Sequence, residues 1–165
     1  MRSLYRRSFV VLACLLLLPA ATEARAHTPI AELTEAADRF LDALDQDQRA
    51  KVLYEVSDEE RQNWHFVPDK FIQPDGTRYG LPLTEMTAAQ QALVMALLNT
   101  GLSQHGFLTA MTIRNLEQIL HELEGGNAIR NPELYYVSVF GEPGDKQAWG
   151  WRFEGHHLSV NFTIV

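Results

Sequence analysis

The densest group of chemically capable side chains lies in Trp149-Gly150-Trp151-Arg152-Phe153-Glu154-Gly155-His156-His157-Leu158-Ser159-Val160-Asn161-Phe162-Thr163. A guanidinium, a carboxylate, two imidazoles, a hydroxyl and an amide alternate there with large apolar residues. Gly155-His156 suits a two-residue type II′ turn, in which the first central residue has positive φ and is glycine. That turn predicts a hairpin with Glu154 opposite His157, Arg152 opposite Ser159 and Gly150 opposite Asn161. Trp149, Trp151 and Phe153 would then meet Phe162, Val160 and Leu158 on the core face. Arg152, Glu154, His157, Ser159, Asn161 and Thr163 would share the other face.

Such a row could bind or react. Glu154 beside His157 would raise the imidazole pKa and fix its tautomer, making His157 the candidate acid or base and Glu154 its catalytic partner. Arg152 would hold a carboxylate or phosphate, while Ser159 and Asn161 would position substrate. Arg61 and His65, upstream, would complete the binding pocket. A glycine within a strand, as at Gly150, admits a ligand or another backbone. The same alternation also arises in any hairpin with one face on the core and one in water, without function.

Histidine offers a second arrangement, a metal site from His65, His156 and His157. No spacing resembles His-Glu-x-x-His, and adjacent strand histidines point to opposite faces. His105 and His121 fit a loop and a helix C-terminus, and His27 with a free α-amine could chelate copper only at a mature N-terminus. Asn161-Phe162-Thr163 matches a glycosylation sequon, read here as chance within a strand. There is no Gly-rich phosphate loop and no Gly-x-Ser-x-Gly elbow. The sequence names no cofactor.

Composition bounds these options. The chain has 165 residues, 46% hydrophobic and 21% charged, enough for one folded domain. A formal charge of -7 without a Lys/Arg run disfavours nucleic acid and gives no polybasic grip on membranes. Residues 1–26 read as an export signal: Arg2, Arg6 and Arg7, then the apolar run Phe9 to Leu18, then Ala24-Arg25-Ala26. Arg6-Arg7-Ser8-Phe9-Val10 also fits a twin-arginine signal, so the route is secretory or twin-arginine. Cleavage would leave no stable membrane anchor and a periplasmic or extracellular protein. It would also remove four arginines and Glu23, taking the charge to -10, together with Cys14, the one cysteine. Disulfides and thiolate chemistry are then excluded. A small-molecule ligand is the partner these features leave open, and oligomeric state is not legible.

The elements that must position the row follow from periodicity. Thr28-Pro29 opens a helix carrying Ile30, Leu33, Ala37, Phe40, Leu41 and Leu44. Residues 46–56 suit helix or strand. Ser57 to Glu60 is a capping box before a short helical turn, and Pro68 to Pro82 is a loop of turns. Thr87 to Gln90 caps a helix with Leu93, Leu97, Leu98 and Leu102 inward. The next runs from about Phe107 to Glu124, with Leu108, Met111, Leu116, Ile119, Leu120 and Leu123 inward, giving a helical hairpin. Leu134 to Phe140, Trp149 to Phe153 and Leu158 to Ile164 are strands. The prediction is a single α+β domain over 27–165, helices first and an antiparallel sheet portion ending in a hairpin.

The chain resembles a family of exported, mostly bacterial proteins catalogued as domain of unknown function 3500. The resemblance runs through Asp47-Gln48-Arg49, Arg61-Gln62-Asn63-Trp64-His65-Phe66-Val67-Pro68, Gly80-Leu81-Pro82-Leu83, Leu102-Ser103 and Trp149 to Ser159. It implies no activity. It does imply that members continue past this chain's last residue, so the expected domain is incomplete at its C-terminal side.

Overall fold

The computed structural model describes residues 28–165. Residues 1–26, expected to be an export signal and containing Cys14, and His27 therefore lie outside the described residues.

Helix α1 (Pro29–Asp42) starts where expected. Thr28 accepts a hydrogen bond from the Ala31 amide at 3.2 Å, Pro29 occupies the first turn, and Leu33, Ala37, Phe40 and Leu41 are buried. The ambiguous stretch divides into α2 (Gln46–Val52), capped by an Asp45/Gln48 box, and a two-residue strand β1 (Leu53–Tyr54). Short 3₁₀ turns follow at Glu59–Gln62 and Asp69–Phe71, then strand β2 (Leu81–Pro82). The first turn is capped by Asp58, whose carboxylate accepts from the Glu60 amide at 2.8 Å. Helix α3 (Ala88–Gly101) carries the expected Thr87/Gln90 box, and α4 (Gln104–Leu123) begins three residues early because Ser103 caps it. Strands β3 (Tyr135–Phe140), β4 (Trp149–Gly155) and β5 (Leu158–Ile164) complete the α+β chain. No helix among the described residues is long and apolar enough to cross a membrane.

The sheet is mixed. Its order is β1-β3-β4-β5, with β1 parallel to β3 and β2 antiparallel to it on the same edge. One face is the core: Tyr135, Val137 and Val139 of β3 and Trp149, Trp151 and Phe153 of β4 are buried against α1 and α3. Trp151 stacks on Phe162 with centroids 4.6 Å apart. Gly101, at the end of α3, sits so close that a Cβ there would meet the Trp151 ring at 2.8 Å.

Helix α4 departs from expectation. Leu108, Leu116, Ile119 and Leu123 are exposed, while Ala110 and Glu117 are buried and Phe107 and Met111 pack on the core. The inward face includes two charged side chains because each finds a partner: Arg114 Nε donates to the Pro132 carbonyl at 2.6 Å, and Glu117 meets His156.

The terminal hairpin keeps its predicted faces and loses its predicted register. Gly155 pairs with Leu158, Glu154 with Ser159, Arg152 with Asn161 and Gly150 with Thr163, so each β4 residue meets a partner two positions later than expected. The turn residues are His156 and His157, and positive φ (62°) falls on His157. Gly155 serves another need: a Cβ there would sit 2.7 Å from the Tyr135 ring and 2.9 Å from the Leu134 carbonyl oxygen. Its missing side chain admits β3, and the turn moves one residue along.

Candidate functional site

The face of the sheet opposite the core carries Tyr136, Ser138 and Phe140 of β3, Gly150, Arg152 and Glu154 of β4, and Ser159, Asn161 and Thr163 of β5, as the pairing dictates. Over β3 and β4 it is largely closed to water, while Asn161 and Thr163 on β5 stay exposed. The chain from Asp58 to Tyr79 crosses it as a cover, and Arg152 and Glu154 beneath are fully buried.

Burying a guanidinium requires partners for its donors, and Arg152 has them. Nη1 donates to the Glu60 carbonyl at 2.7 Å, and Nη2 donates to the Glu60 carboxylate. Nε lies 3.1 Å from Glu154 Oε1, an ionic contact without a directed hydrogen bond. Oε2 of Glu154 accepts from the His65 amide at 2.8 Å. Arg78, 5% exposed, approaches the same carboxylate at 3.8 Å and donates to the carbonyls of His65 (3.1 Å) and Val67 (2.8 Å). Arg78 also pairs with Asp69, which accepts from the Tyr136 hydroxyl at 2.6 Å. Two guanidiniums and three carboxylates thus fasten the cover onto the strands. Burial, partly offset by Arg152 and Arg78, pushes the Glu154 carboxyl above its ordinary range.

The sequence-predicted site residues therefore divide. Arg152 and Glu154 are together, yet both are consumed by the cover. His157 is not opposite Glu154: it sits exposed in the turn, its amide donating to the Phe66 carbonyl at 2.7 Å, so the expected imidazole–carboxylate pair is absent. His65 is half-buried and its ring faces Asn63 Oδ1 at 2.9 Å; burial and then Arg78 lower its proton affinity. Ser159 accepts from the Asn161 amide at 3.1 Å. The backbone, not a ligand, explains Gly150: a Cβ there would fall 2.4 Å from the Phe162 carbonyl oxygen. Among the described residues no group of three or more His, Cys, Asp or Glu is placed to hold a metal ion, so His65, His156 and His157 do not assemble as a metal site.

What survives of the predicted pocket is its outer rim. A cleft of about 240 Å³ lies between the cover and β5, lined by Arg61, Gln62, Trp64, Asn161 and Thr163, with Phe140 at its floor. Arg61 Nη2 donates to Thr163 Oγ1 at 2.5 Å, and Trp64 is 48% exposed. Of the cover's two arginines, Arg78 has a carboxylate and Arg61 has none among the described residues. Sequence reasoning named Arg61 and Asn161 as binding residues and put Thr163 in the polar row without a role, but it missed Trp64 as a wall. An exposed tryptophan beside an arginine in an irregular segment was the available signal. It also missed Arg78 and Glu60, which nothing local in the chain singles out.

The profile of the family described as Protein of unknown function (DUF3500) matches residues 26–165. Searches of curated proteins and of solved structures return no match. The match spans nearly the whole chain and takes in the cover, the cleft and the hairpin beneath, so this chain belongs to the DUF3500 family.

Proposed function

We propose that the chain is an exported binding domain that takes a small anionic ligand with a flat apolar portion in the cleft between Trp64 and β5. The observation that carries this reading is an arginine without a carboxylate partner among the described residues, set beside a half-exposed indole in a cleft of about 240 Å³. Arg61 would trade its contact with a neutral hydroxyl for a charge-assisted bond to the anion. Trp64 offers a face for stacking, and the Asn161 amide and Thr163 hydroxyl supply orientation. The clasp beneath keeps these groups in place without taking part in binding. Export rests on the charged, apolar and small-residue regions of 1–26, which would place the ligand outside the cytoplasm.

Trp64 fluorescence reports occupancy directly. Titration with hexuronates and with aromatic carboxylates is expected to quench it saturably, with at least a tenfold weaker Kd in Arg61→Ala and no saturable signal in Trp64→Ala when ligand is followed by calorimetry. Both variants should melt within a few degrees of the parent, since neither side chain is buried. Binding that is indifferent to both substitutions, or no binding to either ligand class, contradicts the cleft.

A further inference from the structure

Helix α4 turns its large apolar residues outward. Leu108 is 56% exposed, Leu116 46%, Ile119 52% and Leu123 78%. At 3.6 residues per turn these four, with exposed Thr112 among them, fall within one stripe roughly 80° wide and ~22 Å long. The opposite side of the helix fixes that orientation. Arg114 Nε donates to the Pro132 carbonyl at 2.6 Å, Glu117 Oε1 lies 2.5 Å from His156 Nδ1, and His121 Nδ1 lies 3.0 Å from the Asn127 carbonyl oxygen. Rolling the helix to bury its leucines would break all three contacts. Among the described residues nothing covers the stripe, and an apolar patch of this extent marks a contact surface.

Its chemistry limits what can cover it. From Gln104 to His121 no exposed residue of α4 is Lys, Arg, Asp or Glu, so the stripe offers nothing to an oppositely charged partner and no cation to anionic headgroups. Its pattern is the same from either end. Four residues in from Leu108 stands Thr112 and three further Asn115; four back from Leu123 stands Ile119 and three further Leu116. Such a surface fits a second copy of itself across a two-fold axis. Antiparallel placement about the 115–116 midpoint sets Leu108 of each copy level with Leu123 of the other and Thr112 level with Ile119, small against large, with the two Leu116 side chains near the axis. It also sends the exposed Glu122 and Glu124 of the two copies to opposite ends, where parallel helices would crowd them together. The four apolar residues expose roughly 400 Å² per copy and roughly 800 Å² over a pair, and the exposed Thr109, Thr112, Asn115 and Gln118 carry the total past the ~1,000 Å² that a specific interface needs.

We propose that this stripe is a homodimer interface: two copies of the chain pair antiparallel through α4, each covering Leu108, Leu116, Ile119 and Leu123 of the other. The pairing is isologous, so it closes at two copies. An interface at the small end of the specific range gives a dimer that dissociates on dilution, with a Kd on the order of 10 µM. None of the stripe's residues lines the cleft beside Trp64, so the pairing stands apart from ligand binding there.

Sedimentation velocity of the full chain from about 1 to about 100 µM tests this, with a reductant present so that Cys14 cannot link copies. The expected mass moves from monomer to dimer across that range. Leu116→Glu and Ile119→Glu each force a carboxylate into the interface and should weaken the dimer at least tenfold, while the parent's circular dichroism is kept because both positions are exposed in the monomer. Adding Thr112→Lys to Ile119→Glu reads the orientation: the introduced ammonium comes level with the carboxylate of the other copy, so the Kd should return to within about threefold of the parent. A chain still monomeric at about 100 µM, a dimer untouched by both glutamate substitutions, or no rescue by Thr112→Lys overturns the antiparallel pairing. So does a monomer that pellets with phosphatidylcholine–phosphatidylglycerol vesicles through the same residues, which would assign the face to lipid. If the glutamate variants do not fold, the parent decides: its Tm should rise with protein concentration, and a Tm independent of concentration overturns the dimer.

Discussion

Arg152→Ala is expected to cost about 3–5 kcal/mol of stability, because it leaves the buried Glu154 and Glu60 carboxylates without their main counter-charge. In a domain of this size that is a drop of roughly 10 °C or more in Tm. Were Arg152 a solvated residue on an open face, the change would be within about 0.5 kcal/mol. Equilibrium urea unfolding separates the two outcomes. A double-mutant cycle with Glu60→Ala sharpens the result. The two side chains are in direct contact, so the double variant should lose less than the sum of the single losses. The Glu60 carbonyl, also a partner of Arg152, remains in either variant and bounds how much the cycle reads.

Glu154→Ala should be comparably damaging, about 3–5 kcal/mol, since the carboxylate lies against Arg152 and Arg78 and accepts the His65 amide. Glu154→Gln should be milder and more informative. The folded state holds the Glu154 proton more tightly than the unfolded chain does, because burial raises the folded pKa above the ordinary 4.5. In the window from 4.5 up to that raised value the native state binds more protons, so this group makes stability fall as pH rises. The clasp holds three carboxylates against two guanidiniums, and one proton would balance it. Urea unfolding in steps across that window should show a downward stability slope in the parent that is flatter in Glu154→Gln. Identical slopes would mean that Glu154 ionises as it does in water.

These energies matter to function because they concern the support of the cleft, not its walls. Trp64 and Arg61 lie on a cover with little regular structure, and such segments are ordinarily mobile. Arg152 and Arg78 bind its backbone at Glu60, His65 and Val67, three points spread over eight residues. If the cleft binds the proposed anionic ligand, loss of the clasp would weaken that binding indirectly, through an unfixed Trp64, since the clasp residues do not line the cleft.

How far the chain could be read follows from the range of the interactions involved. Helix starts were legible because Thr28 and Thr87 satisfy amides within three residues. The two faces of the hairpin were legible because strand alternation is local. Its register was not: Gly155 looked like a turn glycine, but its small size is needed by Tyr135, a contact made across strands. The burial of Arg152 was equally hidden. Alternation cannot distinguish a polar face in water from one covered by Glu60, Arg78 and Asp69, residues that sit 92, 74 and 83 positions away in the chain. On α4 the leucines outnumbered the alternatives, and the meetings of Glu117 with His156 and of Arg114 with the Pro132 carbonyl show why the other face turned inward.

The central claim is that the hairpin's polar face is a closed clasp under an ordered cover. The His65 amide, donating to Glu154 at 2.8 Å, and the His157 amide, donating to Phe66 at 2.7 Å, are the links that test it most directly. Residue-resolved amide hydrogen exchange is expected to show both protected nearly as strongly as the amides of the central strand β4, despite lying in an irregular segment and a turn. Exchange of these two amides at the rate of an exposed loop, with β4 still protected, would contradict the clasp and return Arg152 and Glu154 to an open surface.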